Sequence, residues 1–259
     1  MSLDPSRALA LTDARLAAHH AAALLADFAF TWLPHEPTFA FANLDWRDRT
    51  FWTRDANGIT LGLELPALRW TLRRGEEELA ALQVGAAGRP RDWLAEVGRA
   101  AGLPAREIEG AEWDLPAPGG PATTDDLDQL ADWFDLAHTA LAEVQLRLGA
   151  SPVRTWPHHF DIATLLSLDP GVEPEEARSV GIGLSPGDAG IPQPYFYVTP
   201  WPRPDRKAGP MLPWNGYWHS AGWFGAVLRG ADVPDADGVS YFLQLAVDGA
   251  LGMLDTEER

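Results

Sequence analysis

Residues 124–148 read TDDLDQLADWFDLAHTALAEVQLRL, and the spacing of their apolar side chains sets the class of fold. Leu127, Leu130, Phe134, Ala137, Leu141, Val144 and Leu148 recur at alternating steps of three and four, the stripe of a helix that buries one side. Thr123 or Thr124 can cap its start, and Asp125 and Asp126 suit the positive end of the helix dipole. Gly149 and Pro152 then stop it. Neither flank continues this period. Upstream, residues 39–46, 59–72 and 78–84 read as strands, with turn signals at Asp55-Ala56-Asn57-Gly58 and Arg74-Gly75. A first helix spans about 8–32 and a short one about 91–101. Downstream come extended runs at 153–168, 178–184, 194–200 and 217–228, then a closing helix over about 239–254.

This order predicts an α+β protein, with antiparallel sheets packed against long helices in two similar helix–strands–helix halves. The halves are residues 1–113 and 124–259, joined by the Pro/Gly-rich linker 114–123, and they pack intimately enough to count as one domain. The chain has 259 residues, room for a sizeable core, with 46% apolar and 22% charged residues. Its 37 acidic and 20 basic side chains leave a net charge of −17, which speaks against nucleic acid as a partner. With no cysteine, disulfides, thiolate nucleophiles and iron–sulfur clusters are excluded. The longest stretch without a charged residue, 208–228, holds Pro210, Pro213, Asn215 and His219, so no membrane helix is expected. The start of the chain, with Asp4 and Arg7, lacks a signal pattern, and the expected location is the cytoplasm. Nineteen arginines to one lysine suggest the codon bias of a GC-rich bacterium. Glu173, Glu175 and Glu176 read as a solvated acidic loop.

The second half holds the segments WPHHFDIA (156–163), GLSPGD (183–188), PYFYVTPWP (194–202) and WHSAGWF (218–224). Together they resemble an uncharacterised bacterial family of domains of unknown function, over roughly residues 130–255. The resemblance implies a soluble α+β fold and no particular activity.

Three constellations are candidates for chemistry. If 153–168 is one strand, His159 and Asp161 project side by side, and His219 follows on a later run. His159-x-Asp161…His219 is the ligand order of a two-histidine, one-carboxylate site for a divalent metal, iron or zinc, with Arg229 placed to meet a co-substrate carboxylate. Second, Gly183-Leu184-Ser185-Pro186-Gly187 fits the G-x-S-x-G nucleophile elbow. The residue after the serine must give its N–H to an oxyanion, however, and Pro186 has none, so a tight turn is the better reading. Third, the chain carries twelve tryptophans, and its second half concentrates rings at Trp156, Tyr195, Tyr197, Trp201 and Trp218. Gly181 and Gly183 leave one face of their strand bare, space for a neighbouring ring or for a ligand.

The functional expectation is a small-molecule-binding protein, or an enzyme of unassigned activity, with an aromatic and histidine-lined cleft in the second half. One alternative is a non-haem metal-dependent oxygenase using His159, Asp161 and His219. The other is a non-catalytic structural or interaction domain whose rings are all core.

Overall fold

The computed structural model describes residues 3–36, 39–86, 88–110, 113–172, 176–205 and 209–256. Glu173 and Glu175 of the expected acidic loop lie outside them. The protein is α+β, with two antiparallel sheets and four α-helices. The chain divides into two compact units whose borders differ from the Pro/Gly linker. One comprises Leu11–Ala131 and Arg154–Phe160, the other Met1–Ala10, Asp132–Val153 and Asp161–Arg259.

In the first unit, helix α1 (Thr12–Trp32) precedes a five-stranded meander of β1 (Asp45–Arg47), β2 (Thr50–Trp52), β3 (Ile59–Glu64), β4 (Arg69–Arg74) and β5 (Glu77–Gln83). Helix α2 (Pro90–Ala100) follows. Left-handed residues make the hairpins: Asp48 and Arg49 have φ of 51° and 56°, and Asn57 and Gly58 have φ of 54° and 82°. The expected single run 59–72 is two strands, because Leu68 (φ 45°) donates its N–H to the Leu65 carbonyl and turns the chain. Most of 39–46 is likewise not strand; residues Ala40–Ala42 form a 3₁₀ turn. Alternation sends Trp46, Phe51, Leu63, Leu61, Trp70 and Leu72 to one buried face, where the Trp70 indole N–H donates to the Ala21 carbonyl of α1 at 3.0 Å. The opposite face carries Arg47, Trp52, Gly62, Thr71 and Arg73.

Strand β6 (Arg154–Trp156) lies in the first unit, where Thr155 bridges Leu44. The expected strand 153–168 breaks after it. Phe160 adopts a left-handed conformation (φ 57°), and the Trp156 carbonyl accepts the Phe160 N–H at 2.7 Å and the His159 N–H at 3.2 Å.

Helix α3 (Thr124–Leu148) occupies the residues its periodicity marks. In the second unit follow β7 (Asp161–Ser167), β8 (Ser179–Ser185), β9 (Tyr195–Trp201), β10 (Tyr217–His219), β11 (Gly225–Arg229) and helix α4 (Ala236–Thr256). Within this unit the strands lie in the order β10-β11-β9-β8-β7. One face, with Ile162, Ile182, Leu184, Phe196, Val198 and Leu228, is wholly buried, and α4 packs on β8, β9 and β11. Register places Asp161, Gly181, Gly183, Tyr195, Tyr197, Thr199 and Val227 on the other face.

That second face depends on glycine. Tyr197 stands directly opposite Gly183, and its ring lies across it: a Cβ at 183 would sit 2.5 Å from the phenol oxygen and 2.7 Å from the Ile162 carbonyl. The ring could swing aside; the carbonyl, held in the sheet, could not. Gly183→Ala should therefore lower stability by about 1–3 kcal/mol in urea unfolding. Gly252→Ala, in α4 with open space around the new methyl, should raise it by roughly 0.5–1 kcal/mol.

Candidate functional site

The site is built on the sheet face away from α4, around the rings of β9. Tyr197 reaches over Gly183 and donates its phenol proton to Asp161 Oδ2 at the start of β7. Tyr195 donates to Asp188 Oδ2 at 2.6 Å. Asp188 lies in the loop between β8 and β9, and its other oxygen accepts the backbone N–H groups of Gly190 (2.7 Å) and Ile191 (2.8 Å). Ile191, Tyr195 and Val227 form a small buried cluster, with Tyr197, Tyr217 and Trp223 half-buried against it. Trp223 stacks on Tyr195 at 6.4 Å, tilts against His219 at 4.6 Å, and covers Gly225.

Burial is the first reason both phenols are held far above their ordinary pKa. For Tyr197 the Asp161 charge adds to it, and for Tyr195 the hydrogen bond to Asp188 does. Two neutral phenols thus face two carboxylates. Their protons are committed, and their oxygens keep lone pairs that can accept a hydrogen bond. Tyr217 is raised in the same direction by burial, although Arg229 lies over its ring at 5.9 Å.

Beside these rings the face is nearly flat. Thr199 of β9 stands opposite Gly181 of β8, and Ala163 of β7 lies diagonally from Gly181, opposite Gly183; all three are partly exposed. A Cβ at 181 would meet the Thr199 hydroxyl at 2.8 Å. Leu165, 44% exposed, borders this platform opposite Gly181.

The residues singled out by sequence distribute as follows. Tyr195, Tyr197 and Asp161 come together. Trp201 shares their face by alternation and is 51% exposed. Trp218 points to the α4 side, where its indole donates to the Pro210 carbonyl at 2.8 Å, stacks on Phe224 and lies against Gly209 and Gly249. An open groove of about 590 Å³ adjoins it, lined by Pro210, Met211, Leu245 and Met253. Trp156 is half-buried in the first unit with its ring edge-on to His158 at 6.1 Å.

The expected metal triad is not assembled. Its premise was a continuous strand, and the turn at 157–160 removes the alternation that paired His159 with Asp161. His159 is exposed and lies against His158 at 4.1 Å. Asp161 holds the Tyr197 phenol, and His219 Nε2 bonds the Ala221 carbonyl at 2.8 Å. Among the described residues, no group of three or more His, Asp or Glu side chains is placed to hold a metal ion. Arg229 is paired with Asp232 at 2.9 Å. Ser185 closes β8 and its hydroxyl accepts the Gly187 N–H at 3.2 Å, the tight turn that Pro186 implies.

Trp223 belongs to the aromatic concentration of the second half, whereas Asp188 is a member of the site that the sequence does not mark. Asp188 follows Pro186-Gly187, the signature of a turn, and only its distance to Tyr195 shows a second role. The chain has no significant match among protein-family models, curated proteins or solved structures.

The buried histidine is elsewhere. His19 of α1, 5% exposed, stacks on Phe160 at 5.0 Å and donates Nε2–H to the Pro157 carbonyl at 2.9 Å. Burial outweighs that bond and lowers its pKa to about 4. The unfolded chain, with an ordinary imidazole near 6.5, takes up a proton that the folded state refuses until about pH 4. Stability should therefore fall by about 3 kcal/mol as pH drops from 6.5 to 4. His19→Phe, which keeps a ring against Phe160, should make the urea midpoint fall less steeply across that window, the remainder belonging to His158, also lowered to about 4 by burial, whereas an equally steep profile in the variant would assign the loss to other groups.

Two Tyr–Asp bonds give a second expectation. Tyr197→Phe removes a charge-assisted donor from Asp161 and should cost about 1–3 kcal/mol in the same assay. Tyr241→Phe, at a half-exposed ring on α4, should cost less than about 0.5 kcal/mol.

Proposed function

We propose that the chain is a small-molecule-binding protein that takes a planar ligand on the outward face of the second unit's sheet. The observation that carries this reading is the platform of Ala163, Gly181 and Thr199, which bears nothing longer than a threonine beside the half-buried rings of Tyr197 and Trp223. A flat body can lie on such a floor and meet ring edges at its border. Leu165 would cover one side of it.

Binding is favoured over acid–base catalysis by the same rings. A general acid or base works best with a pKa near the working pH, and both phenols are held on the far side of their ordinary value. The ligand's charge follows from the lining. Asp161 and Asp188 stand behind the phenols, and Arg229 is engaged by Asp232. A neutral or cationic ring system with hydrogen-bond donors fits; a carboxylate is repelled. The absence of cysteine and of any helix able to cross a membrane among the described residues accords with a cytoplasmic setting.

The test is a ligand-observed NMR screen of planar heteroaromatic amines against planar carboxylates of similar size, on wild type and Gly181→Val. Amines should bind wild type at micromolar to millimolar concentration, and the branched side chain rising from the platform should weaken them at least about tenfold, or about 1.4 kcal/mol. Equal binding to both proteins, or no planar binder below about 10 mM, would overturn the reading.

A further inference from the structure

The outward face of the first unit's sheet holds an arrangement of the opposite charge. Trp52 of β2 stands opposite Gly62 of β3, and its indole lies across that glycine: a Cβ at 62 would meet Cζ3, Cη2 and Cε3 at 2.5, 2.7 and 2.8 Å. The inner side of the ring is thereby closed by the sheet. Arg47 from β1 and Arg73 from β4 both approach this indole, with guanidinium carbons 5.8 and 5.0 Å from its centroid. Both must therefore come to its outer side or its rim.

Two cations at one ring repel each other, and among the described residues no ion pair offsets them. Several other arginines are ion-paired, as Arg91 is with Asp27 and Arg178 with Asp169. Arg47 and Arg73 have no carboxylate within ion-pair distance among the described residues. Glu78 lies opposite Arg73 in the register but bonds Arg69 at 3.2 Å, as Glu64 does at 3.1 Å. Asp45, on the face of Arg47, pairs with Arg154 at 3.0 Å. Arg73 Nε is buried, and no group of the described residues accepts its proton. A native fold rarely leaves such a donor unless something supplies the acceptor.

We propose that Arg47 and Arg73, held across Trp52, form a binding site for a small oxyanion, the phosphate or carboxylate group of a soluble ligand. Arg73 supplies the half-buried donor and Arg47 the exposed one, so the site is open on one side. An oxyanion between them relieves the repulsion and gives Arg73 Nε its acceptor. Thr60, opposite Arg73 on the same face, places a hydroxyl within the neighbourhood.

The experiment uses the full chain, wild type, Arg47→Gln and Arg73→Gln, titrated with inorganic phosphate and with succinate by calorimetry and by thermal unfolding at matched ionic strength. Wild type should bind at least one of the two, with an unfolding temperature that rises above the sodium chloride control. Each variant should bind at least about tenfold more weakly, the loss of one charge-assisted contact. Phosphate alone, or succinate alone, identifies the kind of oxyanion. Arg47 is exposed, so its variant keeps the test decisive if Arg73→Gln does not fold. A wild type that responds to neither anion beyond chloride, or variants that bind as wild type does, would overturn the site and leave the arginines a purely structural stack on Trp52.

Discussion

A ring laid on a cross-strand glycine is the contact on which the outward faces of both sheets depend. Trp52 lies on Gly62 and Tyr197 on Gly183, each pair in direct register. A glycine inside a strand costs roughly 0.5–1 kcal/mol in backbone entropy, and burying a large side chain returns about 1.5–3. The exchange favours the fold only because the ring replaces the missing side chain. It also fixes where the ring ends up: over the neighbouring strand, one strand away from its own backbone. Everything said of either face follows from that displacement, since Tyr197 reaches Asp161 two strands over by crossing Gly183.

The two faces use this contact to opposite electrostatic ends. On the first, the ring is an indole and its neighbours are guanidinium groups. On the second, the rings are phenols and their neighbours are carboxylates. A phenol next to a carboxylate stays protonated, because losing the proton would set two negative charges a hydrogen bond apart. An arginine on an indole stays charged whatever its surroundings. One face therefore sets neutral donors against acids, and the other sets two permanent cations against an indole, with the acids nearby paired to Arg69 and Arg154.

Much of this was legible in one dimension. The helix at 124–148 was, because a stripe at steps of three and four is a property of sequence alone. The pairing of Gly181-x-Gly183 with a ring was also legible, since bare positions on a strand ask to be covered, and Tyr195-x-Tyr197 was the nearest aromatic strand. Asp161 was singled out for a reason the structure overturns: a strand running through 153–168 gave it His159 as a neighbour. Phe160 in the left-handed region resets the alternation, and no propensity marks phenylalanine for that conformation. Trp218 was misplaced by counting rings instead of parity; Tyr217 and His219 flank it and face the other way. Arg47, Trp52 and Arg73 passed unnoticed because their meeting depends on the register of four strands, which hairpin turns such as Asp48-Arg49 set and composition does not reveal.

Asp188 shows why the second site cannot be reduced to its rings. One oxygen ties down the N–H groups of Gly190 and Ile191, shaping the loop; the other holds the Tyr195 phenol. Ile191 in turn packs on Tyr195 and Val227. Loop conformation and ring position are thus coupled through a single carboxylate, and a change in either alters the hydrogen bonds available to the other. Trp223, stacked on Tyr195, extends the coupling to the turn between β10 and β11. Any ligand that presses on Trp223 therefore acts on the β8–β9 loop as well, through Tyr195 and Asp188. The platform itself, made of backbone and small side chains in three paired strands, has no such freedom. Position on this face is thus set by the paired strands, and the border by the loop that Asp188 shapes.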